Sequence, residues 1–310
     1  MFDRNVYERG RMKKTNIWTN GLLLLTAMIW GFAFVAQVDG INYVGPLTLN
    51  GVRFSVGVLS LLPVVLIFEK GRVGSAERKK TVLASLLAGT VLFCASSLQQ
   101  IGIVYTRSAG VAGFITGLYI VLIPIACFLL FRHKTGVQIW IGAVLALIGL
   151  FLLCYKVGEG FRFGLGELLL LLGSFFWTAH MILVDRLGKT LRSLHFAWGQ
   201  FLVCALLGLL AMFLFEEPTV SGILNAKWPI LYCGVLSVGV AYTLQVIAQK
   251  RADPTFAAIL LSMESVFSAI GGAVVGTDNI SSLGYVGCGL IFAGVLISQL
   301  PERTKRHTKE

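Results

Sequence analysis

The chain alternates between long apolar runs and short clusters of charged residues. The runs are about 20 residues long, which is the length of an α-helix that crosses a hydrocarbon core of ~30 Å. Backbone groups must be paired inside lipid, and the runs lack the alternating pattern of a membrane barrel, so the pattern indicates an all-α integral membrane protein. It predicts ten transmembrane helices, at about 18–38, 46–68, 81–101, 109–131, 136–155, 164–184, 195–215, 228–248, 255–276 and 281–299.

Composition supports this interpretation. Hydrophobic residues make up 56% of the chain and charged residues only 13%, which is too few to cover a soluble fold of this size. The net charge of +11 raises the question of a nucleic-acid partner. The basic residues are spread over connectors and both termini and form no continuous basic helix, so we expect no nucleic-acid binding.

The basic residues instead indicate the orientation of the chain, because short cytoplasmic loops are rich in Lys and Arg. With ten helices, 21 of the 26 Lys and Arg residues fall on the side of the termini and 4 on the opposite side. This predicts a cytoplasmic N-terminal segment, 1–17, and a cytoplasmic tail, 301–310. A basic start before an apolar run also resembles a secretory signal. Retention as the first helix is favoured, because that helix has a repeat partner.

The chain contains an internal duplication. A shift of 147 residues aligns Trp30 with Trp177 and Phe68-Glu69 with Phe215-Glu216, and a shift of 145 residues aligns Gln100 with Gln245. The halves are 18–155 and 164–300. Each half has five helices, an odd number, so the two repeats are predicted to be inverted in the membrane. Inverted repeats with a site at their interface are the architecture of many secondary transporters that work by alternating access.

Several motifs add a family resemblance. They are Ala27-Met28-Ile29-Trp30-Gly31 in helix 1, Ser108-Ala109-Gly110 before a helix with Pro124, and Ala252-Asp253-Pro254 before a helix with Glu264. With the topology and the duplication, they resemble the drug/metabolite transporter superfamily, EamA type, over residues 18 to 300. The resemblance implies export or exchange of a small metabolite, such as an amino acid or a similar amphiphilic or cationic compound.

Glu264 is the main candidate for a functional group, because it lies halfway along helix 9. A carboxylate at that depth costs about 2.5–3.5 kcal/mol on insertion scales and should face the protein interior or a wet cavity. It is interpreted as a protonatable coupling group or as the counter-charge of a substrate amine. The alternative is a structural glutamate bonded to neighbouring helices. Tyr119, its repeat equivalent, could share a substrate with it or simply pack.

The remaining candidates are aromatic and amide side chains. His180 in helix 6 is a proton-relay candidate or a hydrogen-bonded packing residue. Trp30 and Trp177 either line a substrate cavity between the repeats or pack helices 1 and 6 against their neighbours. Gln100 and Gln245 are gate candidates, since the repeat relation places them near opposite membrane faces. Beyond these, the Arg in helix 2, Arg53, is expected to extend towards the interface rather than into a vestibule.

Other functions are disfavoured by what the sequence lacks. A channel-like facilitator has no filter motif to support it, and a membrane enzyme, the less favoured alternative, has no HExxH, paired Asp or phosphate-binding motif. We therefore expect no enzymatic activity, cofactor or metal site. The six cysteines lie in apolar runs without a CxxC pair and are interpreted as buried thiols. The expected partners are a small-molecule substrate, lipid, and protons or a counter-substrate, and helices 5 and 10 leave a homodimer open.

Overall fold

Helices form all the regular structure in the described part of the chain, which comprises residues 17–71, 74–132, 136–155, 164–276, 281–298 and 300 of a computed structural model. Eight helices there are long and apolar enough to cross a membrane, and two apolar helices are shorter. The eight are α1 (Ile17–Gly40), α2 (Pro46–Phe68), α3 (Ser75–Thr106), α4 (Ala109–Phe131), α6 (Leu165–Gly188), α7 (Ser193–Phe215), α8 (Lys227–Gln249) and α9 (Pro254–Val275). The shorter two are α5 (Val137–Leu152) and α10 (Ser282–Ser298).

Eight of the ten predicted membrane helices are thus present at the length of a span, and the two shorter apolar helices lie where the fifth and tenth were predicted. A short helix, Val220–Asn225, precedes α8. The terminal segments 1–17 and 301–310 lie outside the described residues, except for Ile17.

Helix α3 differs most from its predicted range. It has 32 residues and begins at Ser75 rather than at 81. The added first turn carries Glu77, a favourable charge at a helix N-terminus, and is followed by Arg and Lys residues with good helix propensity. Apolarity defines the length of a membrane span, but it does not mark where a helix begins outside the membrane.

Helices α2 and α7 form a close pair in which backbone touches backbone. A Cβ added to Gly51 would lie 2.9 Å from the carbonyl carbon of Gly208, and one added to Gly208 would lie 2.9 Å from Cα of Gly51. Such an approach is available only to residues without side chains. The rings of Phe54 and Phe201 pack beside it, with centroids 6.5 Å apart.

Each end of this pair is closed by a glutamate that follows one helix and caps the other. Glu216, after α7, accepts hydrogen bonds from the backbone N–H groups of Leu47 and Thr48 at 2.8 Å each, and from the Thr48 hydroxyl at 2.6 Å. A carboxylate there satisfies the unpaired N–H groups of the first turn of α2 and interacts favourably with the helix dipole. We call this arrangement the Glu216 clamp.

The Glu69 clamp is its repeat equivalent at the other end. Glu69, after α2, accepts hydrogen bonds from the backbone N–H groups of Leu194 at 3.0 Å and His195 at 2.9 Å. The His195 ring atom Nδ1 lies 2.5 Å from the same carboxylate. Thr48 and His195 are 147 residues apart, so the Phe-Glu match in the sequence marks a pair of equivalent contacts. The two clamps also show that α2 and α7 run antiparallel.

The environment of Glu69 changes its titration. Burial alone would raise the pKa of the Glu69 carboxyl, but the hydrogen bonds from Leu194 and His195 outweigh it and bring that pKa below its ordinary value of 4.5. Lys250 is also close enough to interact: burial lowers the pKa of its ammonium, and Glu69 acts in the opposite direction. A carboxyl whose pKa is lowered by folding stabilises the fold at any pH above its ordinary pKa. This stabilisation is lost as the pH falls through the lowered pKa of the folded state.

Helices α5 and α10 pack through glycine. A Cβ on Gly149 would lie 2.5 Å from the carbonyl oxygen of Gly287, and one on Gly142 would lie 2.7 Å from that of Gly294. Close packing of small residues is the usual basis of association in lipid. The glycines of α10 therefore pack on α5, its repeat equivalent.

Replacement of Glu69 by Gln tests the Glu69 clamp. The amide has one acceptor oxygen for two backbone donors, so we expect the variant to lose about 1–3 kcal/mol of stability at neutral pH. The difference from the wild type should shrink as pH falls below the ordinary carboxyl value of 4.5, where the wild-type Glu69 also becomes protonated. The measurement is the thermal unfolding midpoint in detergent as a function of pH. The exposed Glu217→Gln should have the wild-type midpoint at every pH. A difference between Glu69→Gln and the wild type that did not change with pH would contradict this account.

Candidate substrate site

Two membrane-spanning helices are interrupted at equivalent positions. Helix α4 breaks at Gly117, between Ala109–Thr116 and Tyr119–Phe131, and α9 breaks at Ser262, between Pro254–Leu261 and Met263–Val275. The dihedral angles are nearly the same: φ −60° and ψ −10° at Gly117, φ −61° and ψ −14° at Ser262. Both residues keep right-handed helical angles, so each break is a local shift of the hydrogen-bond pattern from i−4 to i−3 acceptors and not an unwound segment. Irregular helices at equivalent places in two repeats are where transporters commonly form their substrate and ion sites.

The two breaks bring repeat-equivalent side chains into contact. Tyr119 and Glu264 each follow a break by two residues, and the Tyr119 hydroxyl donates a hydrogen bond of 2.9 Å to Glu264 Oε1. Both side chains are buried. Tyr119 and Glu264 occupy the same position in the two repeats, so this bond lies where the repeats meet.

A small internal cavity of about 40 Å³ lies beside this bond. It has room for about three water molecules, since each needs about 10–15 Å³ of such a cavity. Its lining combines one carboxylate and one guanidinium with aromatic and amide groups. These residues are Glu264, Arg53, Trp30, Tyr119, Trp177, Tyr242, Gln37, Gln99 and Gln245.

The aromatic side of the cavity is built around Tyr242. Its ring centroid lies 4.6 Å from that of Trp30 and 6.1 Å from that of Trp177, and the second pair is stacked at 19°. Tyr242 ends the π-helical stretch Tyr232–Tyr242 of α8, whose Ser237 carbonyl accepts a 3.4 Å hydrogen bond from the Trp30 indole. The two repeat-related tryptophans thus flank one tyrosine that has no aromatic equivalent in the first half.

A chain of amides holds Trp177 in place. The Trp177 indole donates to Gln99 Oε1 at 2.8 Å, Gln99 donates to Gln37 Oε1 at 3.1 Å, and Gln37 donates to the carbonyl of Ala33 at 3.1 Å. Buried polar groups joined in this way orient one another. The chain runs from α6 through α3 to α1 and fixes one wall of the cavity.

The structure brings together most of the residues proposed from sequence. Glu264, Tyr119, Trp30, Trp177 and Gln245 all line the cavity. Gln245 therefore lies closer to the substrate candidates than its interpretation as a gate suggested.

Two candidates lie away from the cavity lining. His180 is fully buried behind it, with Nε2 2.9 Å from Gln200 Oε1 and its ring at the edges of Trp177 and Tyr242, 6.0 and 6.3 Å between centroids. Gln100 is also buried, with its amide nitrogen 3.5 Å from the carbonyl of Gln37.

Sequence reasoning misjudged Arg53. It was expected to extend towards the interface, but its side chain is 3% exposed and lines the cavity. Its Nε donates a 3.0 Å hydrogen bond to Asn50 Oδ1, one turn earlier on the same helix face. That Asn50–Arg53 spacing was the available signal, because a polar residue one turn away can hold an arginine inside the helix bundle.

Helix α1 contacts the broken helix α9 through Gly31. A Cβ at this position would lie 2.4 Å from Cβ of Phe267 and 2.7 Å from the carbonyl oxygen of Glu264. Any larger residue must push α1 away from α9. Gly31 thus helps to set the position of the Glu264 backbone.

The EamA-like transporter family model matches residues 17–155 and 164–300, which is most of the chain in two copies. The chain belongs to the EamA-like transporter family. Both family repeats contain one of the broken helices. The chain is therefore a multi-pass membrane protein of a transporter family, and the resemblance noted in its motifs is confirmed.

Relatives across the EamA-like family extend over nearly the whole chain. An uncharacterized transporter of Archaeoglobus fulgidus is 28% identical over 279 residues, covering 90% of this chain and 84% of its own length. The uncharacterized transporter YoaV of Bacillus subtilis is 24% identical, covering 90% and 95%. The uncharacterized inner membrane transporter YedA of Escherichia coli K12 is 23% identical, covering 90% of each. A solved crystal structure has the same fold, with a TM-score of 0.74 at 20% identity over 91% of this chain and 96% of that one.

The close approach at Gly31 can be tested with alanine. Gly31→Ala should reduce the free energy of unfolding by about 1–3 kcal/mol and so lower the thermal unfolding midpoint, because a Cβ meets backbone and side-chain atoms of α9. Gly21→Ala is the matched control on the same helix, where nothing lies within 4 Å. That change should be neutral or add about 0.5–1 kcal/mol, since alanine favours helix. Equal midpoints for the two variants would show that α1 does not pack on α9 in this way.

Proposed function

We propose that this EamA-family protein is a secondary transporter that exports or exchanges a small metabolite by alternating access through the central cavity. The observation that carries the proposal is the meeting of Tyr119 and Glu264 at two equivalent helix breaks beside that cavity. A site placed between two repeats can open to either side when the repeats exchange conformations.

The proposal includes ten membrane crossings in two inverted halves. Helices α5 and α10 are the fifth helix of each half, and their packing on each other supports equivalent roles. In the two clamps, the glutamate after each helix caps the start of the other helix, at opposite ends of α2 and α7. A two-fold axis in the membrane plane that relates the repeats would produce this arrangement. A homodimer formed through α5 and α10 stays a prediction.

The cavity chemistry fits a substrate with an amine or another cationic group. Glu264 supplies the carboxylate, and the faces of Trp30 and Trp177 can bind a cation through their ring quadrupoles. An amphiphilic compound would place its apolar part against the same rings. Glu264 would also serve as the coupling group, because one intramembrane carboxylate can hold either a proton or the substrate cation.

A channel-like facilitator is the alternative from sequence. The carrier is preferred, because a site between two equivalent repeats is typical of secondary transporters and no filter motif in the sequence supports a pore. An enzyme is not proposed, since the relatives bear transporter names.

Replacement of Glu264 by Gln tests the coupling role. Gln keeps the shape and an acceptor for Tyr119 but cannot exchange a proton. In proteoliposomes, and with a solute identified by a metabolite screen, we expect Glu264→Gln to abolish accumulation driven by an imposed pH gradient. Exchange of labelled for unlabelled solute does not need the proton and should persist, but at a higher half-saturating solute concentration, because the cationic group loses its carboxylate partner. The exposed Glu217→Gln is the control and should behave as the wild type.

Accumulation by Glu264→Gln at the wild-type rate would contradict the coupling role and leave Glu264 as a structural residue. Unfolding midpoints of the three proteins show whether a loss of transport comes from a loss of fold.

The proposed orientation, with both termini in the cytoplasm, predicts which connectors react with an impermeant thiol reagent. In a background without native cysteines, Asn42→Cys and Ser221→Cys should be labelled from outside intact cells. Lys79→Cys should be labelled only after the membrane is made permeable. All three positions are exposed in the structure. The reverse pattern would invert the orientation.

A further inference from the structure

The cavity is lined by a buried cation, Arg53. Arg53 lines the cavity and is 3% exposed. Among the described residues, no carboxylate oxygen lies within 4.0 Å of its guanidinium. A charge removed from water in this way is costly unless a partner compensates it.

A dedicated polar network holds the guanidinium at the cavity. Asn50 donates hydrogen bonds to the hydroxyls of Ser96 at 3.0 Å and Ser97 at 3.1 Å, and these bonds orient its amide. The amide oxygen then accepts the hydrogen bond from Arg53 Nε. A guanidinium has five N–H donors, and Asn50 and the Cys233 thiol are the partners seen here, so the group can still donate to a ligand. Planar, paired donors of this kind match a carboxylate or phosphate group.

The repeat shows that the scaffold does not require an arginine here. Arg53 and Gln200 are 147 residues apart and occupy equivalent places on α2 and α7. Gln200 is fully buried and has its carbonyl oxygen 2.9 Å from His180 Nε2. A neutral amide therefore fits this position in one half, and the positive charge is specific to the other half.

Arg53 and Glu264 thus place a buried guanidinium and a buried carboxyl group on one cavity without pairing with each other. We propose that Arg53 binds an anionic group of the transported solute, and that the substrate class is a zwitterion with its cationic group at Glu264. This inference rests on the proposed function, because it takes the central cavity as the transport site. A zwitterion compensates both charges at once, whereas a simple cation leaves Arg53 unpaired.

The experiment uses three small probes with the purified full-length protein. They are glycine as the zwitterion, methylammonium chloride as the cation and sodium formate as the anion, each at constant ionic strength. The readout is the thermal unfolding midpoint, followed by intrinsic tryptophan fluorescence, as a function of probe concentration. A ligand that binds the folded state raises this midpoint in a saturable way.

We expect glycine to stabilise the wild type at lower concentration than either single-charge probe. Arg53→Gln should raise the half-saturating concentration of glycine by about tenfold or more and abolish the formate response, because the charge-assisted hydrogen bonds are lost. It should keep the methylammonium response. Glu264→Gln should show the converse. The exposed Arg251→Gln removes the same charge outside the cavity and should respond as the wild type.

The outcomes separate the two proposals. A wild type without a saturable glycine response, or an Arg53→Gln protein with wild-type responses to glycine and formate, overturns the zwitterion inference and leaves the carrier proposal standing. A methylammonium response unchanged in Glu264→Gln removes the proposed role of Glu264 and reduces Arg53 to a site for a simple anion. Arg53→Lys keeps the charge and should retain part of the formate response, so a folding defect in Arg53→Gln does not hide the result.

Discussion

The hydrogen bond from Tyr119 to Glu264 is the contact on which the arrangement of the molecule depends. A carboxyl group deep in a membrane protein needs a donor, because lipid supplies none. Here the donor is the residue at the same position in the other repeat. Each half therefore completes the polar pairing of the other, and the two broken helices must meet at this point. The tryptophans and the two clamps are arranged around it in equivalent pairs.

The chemistry of the site comes from the places where the repeats differ. Arg53 corresponds to Gln200 and Tyr242 to Ser97, so a cation and a large aromatic ring each occur once. A symmetric scaffold can change conformation in both directions with equivalent motions, but small metabolites are not symmetric. Differences between equivalent positions let such a scaffold bind a solute in one orientation. In the proposed transport cycle, the repeats provide the motion and their divergence provides the recognition.

The sequence predicted the fold wherever a single strong physical signal was present. Apolar length gave the spans, and the duplication paired Tyr119 with Glu264 and Trp30 with Trp177 before their contacts were known. Helix rotation has no such signal in one sequence, so Arg53 was assigned to the interface although it lines the cavity. The helix breaks were also missed, because Gly117 and Ser262 are common inside membrane helices and neither is a proline.

The same reasoning applies to the boundaries. The first turn of α3 is charged and lies outside the apolar run, so hydropathy could not include it, although its residues favour helix. The Phe-Glu match between the halves was recognised as a repeat, but its role as a pair of helix caps required knowing that α2 and α7 run antiparallel.

The size of the cavity has a consequence for the speed of the protein. A cavity of about 40 Å³ holds only about three water molecules, which is fewer atoms than most metabolites contain, so a solute needs the surrounding side chains to give up their present contacts. It must shed its hydration shell as Tyr242, the tryptophans and the glutamine chain move apart, and those contacts must form again behind it. In many enzymes the slow step is such a rearrangement rather than the chemistry. If the proposed transport cycle uses this cavity, its turnover rate is set by how often the cavity wall repacks, and only weakly by how often solute reaches the membrane.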